Sequence, residues 1–120
     1  MPREPESVGD IVRALVSRIP KGRATSYGAV GRAAAAFGRP IGGARTVAWI
    51  LAGLRAGEPV PWHRVVGARG VILLPDRRGA LQRSRLRKEG VSFVDGTVSP
   101  QHYLDETALI AVLQKRRARR

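Results

Sequence analysis

Apolar residues return with helical spacing in three early stretches of the chain, each bounded by residues that start or stop a helix. Val8, Ile11, Val12, Leu15, Val16 and Ile19 form one stripe, with Ser7 and Asp10 as a capping pair ahead of it and Pro20 behind. A second stripe opens near Thr25 or Ser26 and runs through Tyr27, Val30 and Ala34 to Phe37, stopped by Gly38 and Pro40; its alanine run suits close helix packing. A third follows Gly42 and Gly43, where Val47, Ile50, Leu51 and Leu54 repeat at i, i+3, i+4 and i+7, and it ends by Gly57. The second and third, joined by a glycine-containing turn, predict a helix-turn-helix. The first turn of its second helix carries Ala44, Arg45 and Thr46, with Arg45 opposite the apolar stripe.

Proline stiffens residues 58–61, and HRVV and GVILL then flank GARG as two short strands around a turn, the pattern of a wing or hairpin. A fourth helix is expected from roughly Gly79 to Glu89, with Gly90 as its C-terminal cap. VSFVDGTV reads as loop and short strand. Ser99 and Pro100 open a last helix through Leu104, Ala108 and Val112, followed by a basic tail expected to be partly disordered. The expected fold is mainly α with a small β hairpin or wing, of winged helix-turn-helix type. It has a body over 1–94, an extension over 95–114 packed on it, and a tail over 115–120.

Charge narrows the function. Lys and Arg number 22 against 9 Asp and Glu, a formal net charge of +13, which implies a polyanionic partner. The excess is not confined to the tail, because between Asp10 and Glu58 there is no carboxylate, while Arg13, Arg18, Arg32, Arg45 and Arg55 all fall there. The absence of cysteine excludes disulfides, thiolate metal sites and a thiol nucleophile, and two histidines leave no reason to expect a metal or any other cofactor. The first residues lack the apolar stretch of a signal peptide, and no run reaches the length of a membrane span. The expectation is a soluble cytoplasmic protein, nucleoid-associated in a prokaryote, that binds double-stranded DNA.

The stretch PVPWHRVVGARG, with ATSYG upstream and QRSRLRKEGV downstream, resembles the C-terminal domain of O6-alkylguanine-DNA alkyltransferases over roughly Ile11 to Val94. In that family the motif is Pro-Cys-His-Arg, and its cysteine accepts the alkyl group. Trp62 stands at that position here, a departure that resembles the alkyltransferase-like proteins. The resemblance implies a non-enzymatic protein that flips O6-alkylguanine out of duplex DNA and leaves the alkyl group attached, and a monomer is the default for a reader of one lesion. It also implies that the lesion is marked for damage-recognition proteins of nucleotide excision repair. Chemistry agrees on the loss of catalysis, since alkyl transfer needs a soft nucleophile and an indole nitrogen is not one.

The same resemblance assigns residues. His63 and Glu89 match the base and the carboxylate that orients it, left here either as a residual relay or as hydrogen-bonding supports of the pocket. Arg45 matches an arginine that fills the vacated place in the stack, against a plain phosphate contact. Tyr27 matches the tyrosine that pushes on the phosphate 3′ to the target, against a core tyrosine. Thr25, Ser26 and Ala44, at the helix starts, complete the DNA-facing set, and Leu51 faces either the core or the minor groove. Trp62 is expected to pack against the alkyl group, with Pro61 beside it and Val65 as an apolar wall. Arg69 either stacks over the extruded base or meets a phosphate. The tail reads as sequence-independent phosphate binding or a contact for a repair partner. The rival from another class is a small basic winged-helix regulator, but a recognition helix of mostly Ala, Thr, Val, Ile and Leu is poorly equipped to read base edges. An RNA-binding or architectural protein would explain the charge and leave PWHRV unexplained.

Overall fold

The computed structural model describes residues 7–118, with side chains through residue 115. Helix α1 spans Val8–Val16 and begins with a complete capping box: Ser7 Oγ accepts from Asp10 N–H at 3.0 Å, and Ser7 N–H donates to the Asp10 carboxylate at 3.3 Å. Strand β1 (Ala24–Ser26) runs straight into α2 (Tyr27–Ala36), so that Ser26 both ends the strand and caps the helix, its hydroxyl accepting from Ala29 N–H. Helix α3 covers Ala44–Ala52 and stops at Gly53. Gly31 sits where α2 meets the turn into α3: a Cβ there would fall 2.8 Å from the Gly42 carbonyl, so only glycine allows the approach.

After α3 the predicted hairpin does not form. Residues Trp62–Arg64 make a 3₁₀ turn, and β2 is Val65–Val66 alone. It pairs in parallel with β1, Thr25 opposite Val65, rather than with the following GVILL segment. The only ladder contact of that segment is an isolated bridge from Val71 to Thr97. Val65 and Val66 are both fully buried, and pairing against the buried β1 covers both of their faces, which a wing open to solvent would not. The antiparallel hairpin lies further on, between β3 (Phe93–Val94) and β4 (Thr97–Val98). Its turn is Asp95-Gly96, both at positive φ, the Asp-Gly pairing that tight hairpins favour.

Helix α4 spans Asp76–Lys88, starting three residues before the expected point. A 3₁₀ turn over Pro100–His102 then leads into β5 (Tyr103–Leu104), which pairs in parallel with β1 and completes the sheet β2-β1-β5. Leu104 is therefore a strand residue, and the last helix, α5 (Glu106–Ala118), starts later than its periodicity suggests, with Asp105 Oδ1 accepting from Ala108 N–H. The segment after residue 94 is thus built into the sheet and packs on α2. The backbone of α5 continues through the start of the basic tail, whose side chains from 116 onward lie outside the described residues. One core gathers beneath α1, α2, α3 and α5 around Val12, Val16, Val30, Val47, Leu109 and Leu113; a second, of Ala24, Val66, Leu86, Val91 and Val98, lies between the sheet and α4.

Candidate nucleic-acid interface

The turn bearing Trp62 is fixed from beneath by an ion network. The Glu89 carboxylate accepts from His63 Nε2 at 2.7 Å, from the Arg64 guanidinium at 2.8 and 3.0 Å, and from Gly22 N–H at 3.0 Å. Arg64 also donates to the Ile19 carbonyl at 2.8 Å, tying the turn to the end of α1. Burial alone would raise the Glu89 pKa, but hydrogen bonds from Arg64, His63 and Gly22 outweigh it and hold the group at about 2. Burial pushes His63 below its ordinary value, and the Glu89 carboxylate only partly opposes this. A neutral His63 donating through Nε2 leaves Nδ1 as an acceptor, and that atom is buried with no partner among the described residues. From α4, Gln82 is fully buried and donates to the carbonyls of Val65 at 2.7 Å and His63 at 3.3 Å, locking the turn against the helix.

Above this network Trp62 is half-buried, its ring edge-on to His63 at 6.3 Å between centroids. It closes one end of a small cavity of about 40 Å³ walled by Tyr27, Ala48, Leu51, Leu74 and Arg78. It also faces a wide cleft of about 590 Å³ rimmed by Arg55, Arg78 and Arg85, within the range of small-molecule sites. Arg85 lies over the Trp62 ring, its guanidinium carbon 5.3 Å from the centroid. The small cavity has room for about one water, so a purine would have to use the cleft or displace Leu74 and Arg78.

The residues picked out by sequence divide into three groups. Trp62, Leu51 and Tyr27 converge on the cavity, with His63 and Glu89 bonded to each other behind it. Arg45 and Ala44 lie exposed on the first turn of α3. The rest are either engaged within the fold or exposed on it, and Tyr27 is buried as well as bordering the cavity. Thr25 is wholly buried, its hydroxyl donating to the Leu104 carbonyl at 2.7 Å, and the Ser26 hydroxyl is taken up by its cap, so neither hydroxyl is presented at the surface. Tyr27 is only 9% exposed, because the step from strand to helix turns it into the core; burial raises its phenol, opposed by the charge of Arg78. Val65 belongs to the core and not to the pocket wall. Arg69 lies exposed at φ 62° in the turn beyond β2, its backbone N–H donating to the Tyr103 hydroxyl, a placement open to both of its expected roles, while the cation over the Trp62 ring is Arg85. Pro61 flanks Trp62 as the residue before the 3₁₀ turn.

Sequence reading missed Arg78 and Arg85, whose spacing with Leu81 at i, i+3 and i+7 marks one face of α4, and that face lines the cleft. It gave Arg64 no role, although Arg64 closes the PWHR motif, and it missed Gln82 as a support, for which no local pattern exists. The exposed Trp49 on α3 was discoverable as the aromatic residue one turn after Arg45 and off the Val47–Leu51 stripe.

Residues 8–91 match the family model described as 6-O-methylguanine DNA methyltransferase, DNA binding domain. The chain is 39% identical over 90 residues to the DNA base-flipping protein of Escherichia coli strain K12, covering 74% of this chain and 67% of that protein. It is 38% identical over 78 residues to alkyltransferase-like protein 1 of Schizosaccharomyces pombe, covering 63% and 68%. Among solved structures, S. pombe Atl1 in complex with damaged DNA containing O6-carboxymethylguanine superposes with a TM-score of 0.67 at 28% identity, over 84% of this chain and 97% of that one. The chain belongs to the family of the 6-O-methylguanine DNA methyltransferase DNA-binding domain.

Proposed function

We propose that this protein binds duplex DNA carrying O6-alkylguanine, flips the damaged nucleotide toward the cleft at Trp62, and leaves the alkyl group in place. The observation that carries the reading is Trp62 itself. It stands on a turn braced by His63, Arg64 and Glu89 and faces an arginine-rimmed cleft, in a chain without cysteine. An indole cannot take an alkyl group from guanine, whereas its face packs well against one.

The remaining parts fit a lesion reader. O6-alkylation removes the N1 proton of guanine and weakens its pairing with cytosine, so the damaged base costs less to extrude. Arg45, exposed at the start of α3, fills the vacated place in the stack. Arg85 and Arg78 supply positive charge to the mouth of the cleft, where the extruded nucleotide brings its phosphate. Protein held on an unrepaired lesion serves as a mark, and the natural recipient is the damage-recognition step of nucleotide excision repair, in the compartment that holds the DNA.

Support comes from the relatives named as DNA base-flipping and alkyltransferase-like proteins and from the damaged-DNA complex of the structural neighbour. The direct test compares two short duplexes differing by one O6-methylguanine, each at moderate and high salt so that the phosphate contribution separates. A lesion preference that persists as salt weakens both is the expected result; equal affinity for both duplexes would remove the proposal.

A further inference from the structure

Trp49 leaves 76% of its surface open to solvent, the most exposed large apolar side chain among the described residues. Its position is set by helical spacing. Val47 and Leu51 of α3 turn into the core, while Arg45, Trp49 and Ala52 stand exposed on the other side. Trp49 is one turn after Arg45, and at 1.5 Å per residue it lies about 6 Å further along the helix axis.

The surroundings are cationic. Beside the indole is a notch formed with Arg13, Ile50, Ala52 and Gly53. Glu58, which pairs with the Arg13 of this notch, is fully engaged: one oxygen takes Arg13 Nε at 2.7 Å and the other takes Arg55 N–H at 2.9 Å. Arg45 makes no ion pair among the described residues. An aromatic face in line with an arginine unpaired among the described residues matches the chemistry of a nucleic-acid backbone: deoxyribose for the ring, phosphate for the cation.

We propose that Trp49 is a second DNA-contacting residue of α3, its indole packing on the sugars of the duplex beside the lesion, one helical turn from Arg45. The inference rests on the damaged-DNA reading and extends it to a side chain outside the lesion cleft. Sugars are the same at every nucleotide, so the contact adds affinity for damaged and undamaged duplex alike. Being apolar, it does not screen with salt. Trp49 thus supplies general affinity and Trp62 supplies lesion preference.

The chain holds two tryptophans, so Trp62→Phe leaves Trp49 as the sole indole. Titrating that variant with a fluorescein-labelled unmodified duplex at low salt, with anisotropy reporting binding, should shift indole emission to the blue and protect it from acrylamide. In the otherwise unaltered chain, Trp49→Ala should weaken unmodified and O6-methylguanine duplexes equally, by about tenfold, with unchanged salt slope and unchanged Tm. Unaltered emission and quenching while anisotropy shows bound duplex, or unaltered affinity in Trp49→Ala, would overturn the proposal and leave the lesion-reader function standing. If the unsubstituted protein raises the anisotropy of neither duplex, the DNA-binding reading itself fails and this contact fails with it.

Discussion

Arg85 holds its guanidinium carbon 5.3 Å from the centre of the Trp62 ring, so the aromatic residue of the cleft is faced by a cation before any duplex arrives. Such a contact is worth about 0.5–2 kcal/mol depending on how dry it is, and a flipped nucleotide would dry it.

Arg85→Ala should therefore reduce the ratio of affinities for O6-methylguanine and unmodified duplexes by about threefold to tenfold. The side chain is exposed, so Tm should stay close to that of the unsubstituted protein. Competition binding with the two duplexes checks this. An equal loss on both, with a shallower salt dependence, would mean that Arg85 meets only a phosphate.

The Glu89 network makes stability depend on pH in two stages. His63 has its pKa lowered on folding, so the unfolded chain takes up a proton first as pH falls below 6.5 and the folded state loses ground. Glu89 is depressed from 4.5 to about 2, so its contribution is complete above pH 4.5 and is lost as pH falls toward 2. That span corresponds to about 3 kcal/mol at most. Urea midpoints measured from pH 7 to pH 3 should fall monotonically. Glu89→Gln should be less stable at pH 7 and should lack the part of the fall that the carboxylate contributes between pH 4.5 and 2, keeping the part due to His63. In the same variant the His63 ring, followed by NMR, should titrate lower still, because the carboxylate that favours its charged form is gone.

Gly31→Ala sets a helix-propensity gain of about 1 kcal/mol against a collision. The new Cβ would lie 2.8 Å from the Gly42 carbonyl, which is backbone and cannot rotate away, and overpacking of this kind costs about 1–3 kcal/mol. A net loss is expected, visible as a Tm lower by about 5 °C, together with weaker DNA binding as the start of α3 is pushed outward. A variant with wild-type Tm would show that α2 and the turn can separate without cost.

What could be read from sequence follows the range over which each signal acts. The capping box at Ser7 and Asp10, the Ser26 cap and the Gly42-Gly43 pair are local, and all three early helices start where those residues place them, but α1 ends at Val16, short of Ile19 and Pro20, and α3 ends at Ala52, short of Leu54 and Gly57. Pairing partners of short strands are not local. Val65 and Val66 are apolar enough for any buried strand, and nothing near them indicates a parallel partner in Ala24–Ser26. The same holds for Leu104, which continues a helical period while serving as an edge strand. Motif likeness picked out Trp62 and His63 together with Glu89, which is far along the chain and adjacent to His63 in the fold, because it carries long-range information that periodicity lacks. It does not reveal that the hydroxyls of Thr25 and Ser26 are engaged in a carbonyl bond and a helix cap.

Arg45 gives the sharpest test of flipping as distinct from binding. It is exposed at the second residue of α3, so Arg45→Ala should leave Tm unchanged. If its guanidinium replaces the extruded base in the stack, removing it makes flipping dearer while leaving the other phosphate contacts intact. Affinity for the O6-methylguanine duplex should then fall by tenfold or more and that for the unmodified duplex by about threefold or less. A 2-aminopurine beside the lesion, bright only when its neighbour leaves the stack, should brighten with the unsubstituted protein and stay dim with the variant. The opposing outcome is a uniform loss on both duplexes, a salt slope reduced by about one, and undiminished brightening at saturation. That pattern would make Arg45 a phosphate contact and leave the cleft itself, through Trp62 and Arg85, to hold the flipped nucleotide.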